Sequence, residues 1–126
     1  MTVRRACRVL VVDDEPAIAD TLAIILNTSG YEAHAAYDCS SARQRTSRWL
    51  PDLILSDIAL PDGNGVDLVI ELQHLYPHAG VLLFSGQEAA EAPLRRAAEA
   101  GYEFEVLAKP VHPTELLERI AAHCPQ

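Results

Sequence analysis

The sequence predicts an α/β fold: an open, doubly wound parallel sheet of five strands with helices on both faces. Three observations predict it. Short apolar runs alternate with segments of helical period along the whole chain. The runs are continuous rather than alternating, as in strands buried on both faces. Four of the five stop at a charged or hydroxyl residue, as strands do where they leave a core.

The first strand is Arg8-Val-Leu-Val-Val12, ended by Asp13 and Asp14. Pro16 to Leu26 follows, with Ile18, Leu22, Ile25 and Leu26 on one helical stripe, Pro16 suited to its start and Gly30 to its end. Tyr31 to Tyr37 is a second, more polar strand. Ser40 to Leu50 is a polar helix closed by Trp49 and Leu50, which are expected to cover the sheet edge, and Pro51 ends it. Leu53-Ile-Leu-Ser56 is the third strand and runs into Asp57. A turn-rich loop from Leu60 through Pro61 to Gly65 precedes a helix over Val66 to Leu75. Gly80 to Phe84 is the fourth strand and stops at Ser85. Pro93 breaks or delays the next helix, so a short Ala-rich helix is expected to start near Pro93, over Leu94 to Ala100 and capped by Gly101, after a looser, acidic stretch over Gln87 to Ala92. Phe104 to Ala108 is the fifth strand and stops at Lys109. Thr114 to Ala122 is the last helix, with Thr114 its expected N-cap.

Composition bounds the function. The 126 residues fit a single domain, with its core over residues 8–122 and no output domain expected. Ten Lys and Arg against 18 Asp and Glu give a net charge of −8, which counts against nucleic-acid binding by this chain alone. No apolar run approaches the ~20 residues of a membrane span. Behind the three Arg of Met1 to Arg8, the apolar stretch is only Val9 to Val12, too short for a secretory leader. Cys7, Cys39 and Cys124 are far apart and in no metal-ligand spacing. They are expected as three reduced thiols in a cytoplasmic protein. The five histidines show no ligand spacing and are expected at the surface or in loops.

In an open α/β sheet, ligands bind at the carboxyl ends of the strands. Asp13, Asp14, Asp57, Ser85 and Lys109 all fall there. Three converging carboxylates need a cation or a retained proton. Hard oxygen donors with room for water suit Mg²⁺. A fixed ammonium from Lys109 and a hydroxyl from Ser85 complete a set suited to phosphoryl transfer, in which an Asp can be the nucleophile. Each residue alone has an ordinary reading. Asp13 and Asp14 suit a helix start, Asp57 a turn, Ser85 a loop, and Lys109 a solvated surface.

Together the motifs Val11-Val12-Asp13-Asp14-Glu15, Asp52-Leu-Ile-Leu-Ser-Asp57, Leu60-Pro61 with Gly65, Leu83-Phe84-Ser85-Gly86 and Ala108-Lys109-Pro110 resemble the receiver domains of two-component response regulators, from Arg8 to Ala122. The resemblance implies a flavodoxin-like sheet of strand order 2-1-3-4-5. It implies Asp57 as phosphoacceptor, and Mg²⁺ held by Asp13, Asp14, Asp57 and the backbone carbonyl of Ala59. It implies Ser85 as the switch hydroxyl, Lys109 as partner of the phosphoryl oxygen, and a cis bond before Pro110, with Pro61 and Gly65 in structural roles. It implies a sensor histidine kinase or phosphotransfer protein as donor, and a downstream protein target or fused output domain as recipient. The output surface would be the fourth helix, fifth strand and fifth helix. Homodimerisation through that face is a family expectation, and Pro93 weakens it.

Two departures qualify the resemblance. Val106 stands where the family commonly has an aromatic switch partner, and Phe104 lies two residues earlier, either on the same strand face as Val106 or simply in the core. Pro93 interrupts the fourth helix. A pseudo-receiver, binding proteins without phosphorylation, is the alternative. Other chemistries on this topology fit less well. Asp13-Asp14-Glu15 has the wrong charge for a flavin phosphate loop, no Gly-rich loop ends in Lys-Ser/Thr, and Ala59 stands where a phosphoaspartate hydrolase has its second Asp.

Overall fold

The computed structural model describes residues 6–86 and 91–124. The chain runs β1 (Arg8–Val12), α1 (Pro16–Thr28), β2 (Glu32–Ala36), α2 (Cys39–Thr46), β3 (Leu53–Asp57), β4 (Ala59–Leu60), β5 (Gly63–Asn64), α3 (Gly65–Leu75), β6 (Gly80–Ser85), α4 (Glu91–Glu99), β7 (Glu105–Ala108) and α5 (Pro113–His123). Five strands form one parallel sheet in the order β2-β1-β3-β6-β7, the doubly wound 2-1-3-4-5 order when β4 and β5 are set aside. No helix among the described residues is long and apolar enough to cross a membrane.

The strand period of two divides the core. Leu10 and Val12 of β1, Ile54 of β3 and Leu83 of β6 face one side, where they bury Ala42 of α2, Leu68, Val69 and Leu72 of α3, and Ala97 of α4. Val9, Val11, Leu53, Leu55, Leu82 and Phe84 face the other, over Ala19, Ala23 and Leu26 of α1 and Leu116 and Ile120 of α5. Both faces are covered, which is why the strands read as unbroken apolar runs.

β2 is an edge strand. Asn27, near the end of α1, reaches its outer side: the side-chain oxygen accepts from the Ala33 N–H at 2.8 Å, and the amide nitrogen donates to the Ala33 carbonyl at 3.1 Å.

Several expectations are corrected. α2 stops at Thr46, with Ser47 as C-cap. Trp49 therefore lies beyond the helix. It packs on the core and lies against the edge strand β2 as expected, donating from Nε1 to Glu32 Oε2 at 2.6 Å and meeting the His34 ring edge-on, while Leu50 is 56% exposed. The loop at 60–65 contains a small antiparallel ladder, Ala59 opposite Asn64 and Leu60 opposite Gly63. α5 begins at Pro113 and is capped by His112, whose Nδ1 accepts from the Thr114 N–H at 3.2 Å; Thr114 is not the cap. Pro93 falls in the first turn of a nine-residue α4, where a missing N–H costs nothing. Glu91 and Ala92 thus belong to the helix, and Gln87 to Ala90 lie outside the described residues. Phe104 precedes β7. It stacks on Tyr102 with ring centroids 6.0 Å apart and packs on the core, whereas Val106 is 37% exposed.

The thiols are also corrected. Cys39 is free and buried, but Cys7 and Cys124 are paired as a disulfide, with Cα atoms 6.1 Å apart. They sit 117 residues apart in sequence, so only the tertiary fold brings them together.

Candidate functional site

The carboxyl ends of β1, β3, β6 and β7 converge on one point. β1 delivers Asp13, which is fully buried, with Asp14 exposed beside it. β3 ends in Asp57, buried to 5% exposure. β6 ends in Ser85, half-buried, whose carbonyl accepts from the Lys109 N–H at 2.9 Å. Lys109 follows β7, and its Nζ donates to Asp57 Oδ2 at 2.7 Å and to Asp13 Oδ2 at 2.9 Å. The ammonium also lies 5.0 Å from the centroid of the Phe84 ring. The Lys109–Pro110 peptide is cis.

Backbone bonds fix the carboxylates. Asp13 Oδ1 accepts from the Glu15 N–H at 2.9 Å, and Asp57 Oδ1 from the Ala59 N–H at 3.3 Å. The Ile58 N–H donates to the Phe84 carbonyl, and the Gly65 N–H to the Ile58 carbonyl at 2.8 Å, so the turn after β3 is held from both sides. A Cβ at Gly65 would overlap the Asp57 carbonyl oxygen, so glycine is required by this close approach. The preceding turn, with Pro61, places Asp62 under α2: its two oxygens accept from the Cys39 N–H at 2.8 Å and the Ser40 N–H at 3.0 Å.

The electrostatics follow from burial. Loss of solvation raises the Asp57 carboxyl above its ordinary value; Lys109 opposes this and Asp13 reinforces it. Burial lowers the Lys109 ammonium, but its bonds to Asp57 and Asp13 outweigh that and leave it raised. One cation thus serves two buried carboxylates, a charge deficit that invites a second cation.

The donor set fits a hard divalent ion. Asp13, Asp14 and Asp57 offer carboxylate oxygens all within 4.8 Å of one another, and the exposure of Asp14 leaves room for water ligands. Oxygen donors with retained water are the environment Mg²⁺ prefers.

The residues singled out in the sequence divide in two. Asp13, Asp14, Asp57, Ala59, Ser85, Lys109 and Pro110 come together at the strand ends; Val106 and Phe104 do not share a strand face. Sequence reasoning missed Ser56, buried, whose hydroxyl donates to the Asp57 carbonyl at 2.9 Å. Its signal was a hydroxyl inside an otherwise apolar strand. It also missed Phe84 as the ring beneath the Lys109 ammonium. An apolar groove beside the site is lined by Ile18 and Leu22 of α1, Phe84, and Pro110 and Val111.

Comparison with known proteins agrees with this geometry. A family model described as "Response regulator receiver domain" matches residues 9–121. The chain is 33% identical over 114 residues to the "Probable transcriptional regulatory protein TcrX" of Mycobacterium tuberculosis, covering 90% of this chain and 48% of that protein. It is 35% identical to the "Response regulator protein PilR" of Pseudomonas aeruginosa, covering 90% of this chain and 25% of that one. The chain therefore spans half or less of these relatives. Among solved structures, a CheY-like response regulator receiver domain protein from Methanospirillum hungatei JF-1 superposes with a TM-score of 0.83 at 32% identity, covering 93% of this chain and 92% of that one. With the sheet order, the carboxylate cluster and the lysine all in place, the chain belongs to the response regulator receiver domains of two-component systems.

Proposed function

We propose that this receiver accepts a phosphoryl group on Asp57 from the phosphohistidine of a sensor histidine kinase or phosphotransfer protein. The observation that carries the reading is the buried Asp57 carboxylate, held 2.7 Å from Lys109 Nζ and within 4.8 Å of Asp13 and Asp14. An Asp57 oxygen attacks phosphorus, the new P–O bond forms as the P–N bond breaks, and the imidazole leaves with the electron pair. The Lys109 ammonium stays beside the phosphoryl oxygens and offsets their charge. Asp13, Asp14, Asp57 and the Ala59 carbonyl would hold Mg²⁺, which supplies further charge neutralisation when bound.

The apolar groove at Ile18, Leu22, Pro110 and Val111 opens beside Lys109 and suits the docking face of the phosphodonor. Ser85, at the end of β6, is placed to meet the phosphoryl group, and its movement would bias the α4–β7–α5 face. Val106 provides no aromatic partner for that movement, so this switch works through Ser85 and the backbone it shares with Lys109.

The test is intact mass after incubation with a small-molecule phosphodonor, with and without Mg²⁺, beside Asp57→Asn. One added phosphoryl group that requires both Mg²⁺ and Asp57 is the expected result. No addition under conditions that label a control receiver overturns the reading and favours a phosphorylation-independent binding module.

A further inference from the structure

A second site lies at the opposite edge of the sheet, at the amino ends of the strands. Cys7 immediately precedes β1 and is half-buried; its carbonyl accepts from the Glu32 N–H at 2.9 Å, so its backbone is tied to β2. Cys124 is the C-cap of α5, 7% exposed, and its N–H donates to the Ile120 carbonyl at 2.8 Å. The two side chains meet at the margin of the apolar cluster beneath the sheet. Their Cα separation of 6.1 Å is inside the range a disulfide spans without backbone movement.

Each cysteine is positioned by elements that do not need the other. Cys7 is placed by the β1–β2 pairing, and Cys124 by Leu116 and Ile120 of α5, both fully buried. Cutting the bond therefore leaves two thiols facing each other in a folded chain, and closing it again requires no search. Such a pair is a reversible modification site, unlike Cys39, which is buried without a thiol partner.

We propose that Cys7 and Cys124 form a thiol–disulfide latch that closes with an oxidant of the glutathione disulfide class and fixes the end of α5 to the start of β1. The half-buried Cys7 thiolate attacks one sulfur of glutathione disulfide. An S–S bond forms on Cys7, and the first glutathione leaves as thiolate. The Cys124 thiolate then attacks the Cys7 sulfur and releases the second glutathione. Two protein thiols are oxidised, one glutathione disulfide is reduced to two glutathiones, and the two protein protons end on them. Lys109 lies at the carboxylate edge, α5 begins at Pro113, and the helix ends at His123 with Cys124 as its C-cap at this edge. Closing the latch thus restrains the far end of the helix that begins four residues after Lys109.

The experiment uses the whole chain, reduced and then equilibrated with glutathione disulfide, and denatured before alkylation. Intact mass is expected to show loss of two hydrogens and one alkylated cysteine in place of three, with a peptide map joining Cys7 to Cys124. Excess reduced glutathione is expected to restore all three. In the oxidised form the Tm is expected to rise by about 10 °C or more, because the bond closes a long loop of the unfolded chain. Amide exchange over α5 is expected to slow about tenfold, and Cys7→Ser should abolish both effects while remaining folded. Three alkylatable thiols under conditions that oxidise a control dithiol, a stable glutathione adduct on Cys7, or an oxidised form no more protected in α5 than the reduced one each overturns the latch.

Discussion

Gly65 lies against the backbone of Asp57: a Cβ there would overlap the Asp57 carbonyl oxygen and stand 2.8 Å from Ser56 Oγ. The start of α3 and the end of β3 are thereby pressed into contact by the absence of one methyl group. Gly65→Ala is expected to force the two apart, lowering stability by about 2 kcal/mol or more. It should also slow phosphoryl uptake, because Asp57 moves with its backbone. Urea unfolding and the mass assay on the same variant check both effects.

Removing the shared cation should expose the charge deficit at the strand ends. Lys109→Gln leaves Asp13 and Asp57 facing each other in a buried site. Stability in chelator is expected to fall by about 2–3 kcal/mol, at the lower end for a buried ion pair because Lys109 is partly solvated. Millimolar Mg²⁺ should then raise the Tm of the variant more than that of the wild type, since bound metal stabilises by mass action. Thermal scans of both proteins with and without Mg²⁺ provide the comparison, and equal shifts would contradict it.

Asp62 links stability to acid. Its carboxyl is held below the ordinary value by hydrogen bonds from the Cys39 and Ser40 N–H groups at the start of α2. A folded-state value below the unfolded one contributes stability in full above the unfolded pKa of about 3.9 and loses it as pH falls through the folded value. Asp62→Ala should therefore lower the urea midpoint at neutral pH. The gap from wild type should close as pH falls below the ordinary carboxylate range.

The Cys39 thiol should be inert in the folded chain. Burial, then its hydrogen bond with Asp62, pushes it up to about 11. A maleimide reagent is expected to label it only as fast as the domain unfolds, and urea should accelerate labelling in step with unfolding. Rapid labelling of Cys39 in native buffer would contradict its burial.

The site was legible in the sequence because it consists of endings. Asp13, Asp57, Ser85 and Lys109 each follow an apolar run, and parallel topology alone carries such endings to one edge. Boundaries set by local competition were harder to read. Trp49 and Leu50 read as an apolar close to the polar α2, yet the helix stops at Thr46, and Trp49 instead turns in to reach Glu32. His112 caps α5 although Thr114 is the commoner capping residue, because Pro113 already fixes the first helical position. Phe104 packs before β7 begins, drawn there by Tyr102. The Cys7–Cys124 pairing had no sequence signal, since it depends on where two distant elements finish.

Asn27 acts as a one-residue surrogate strand. By taking both the N–H and the carbonyl of Ala33, its amide occupies the position that a neighbouring chain would need in order to extend the sheet beyond β2. Strand addition is opposed at that point of the edge. The backbone groups of Ala33, which an edge strand would otherwise leave unpaired, are thereby kept from templating a foreign strand.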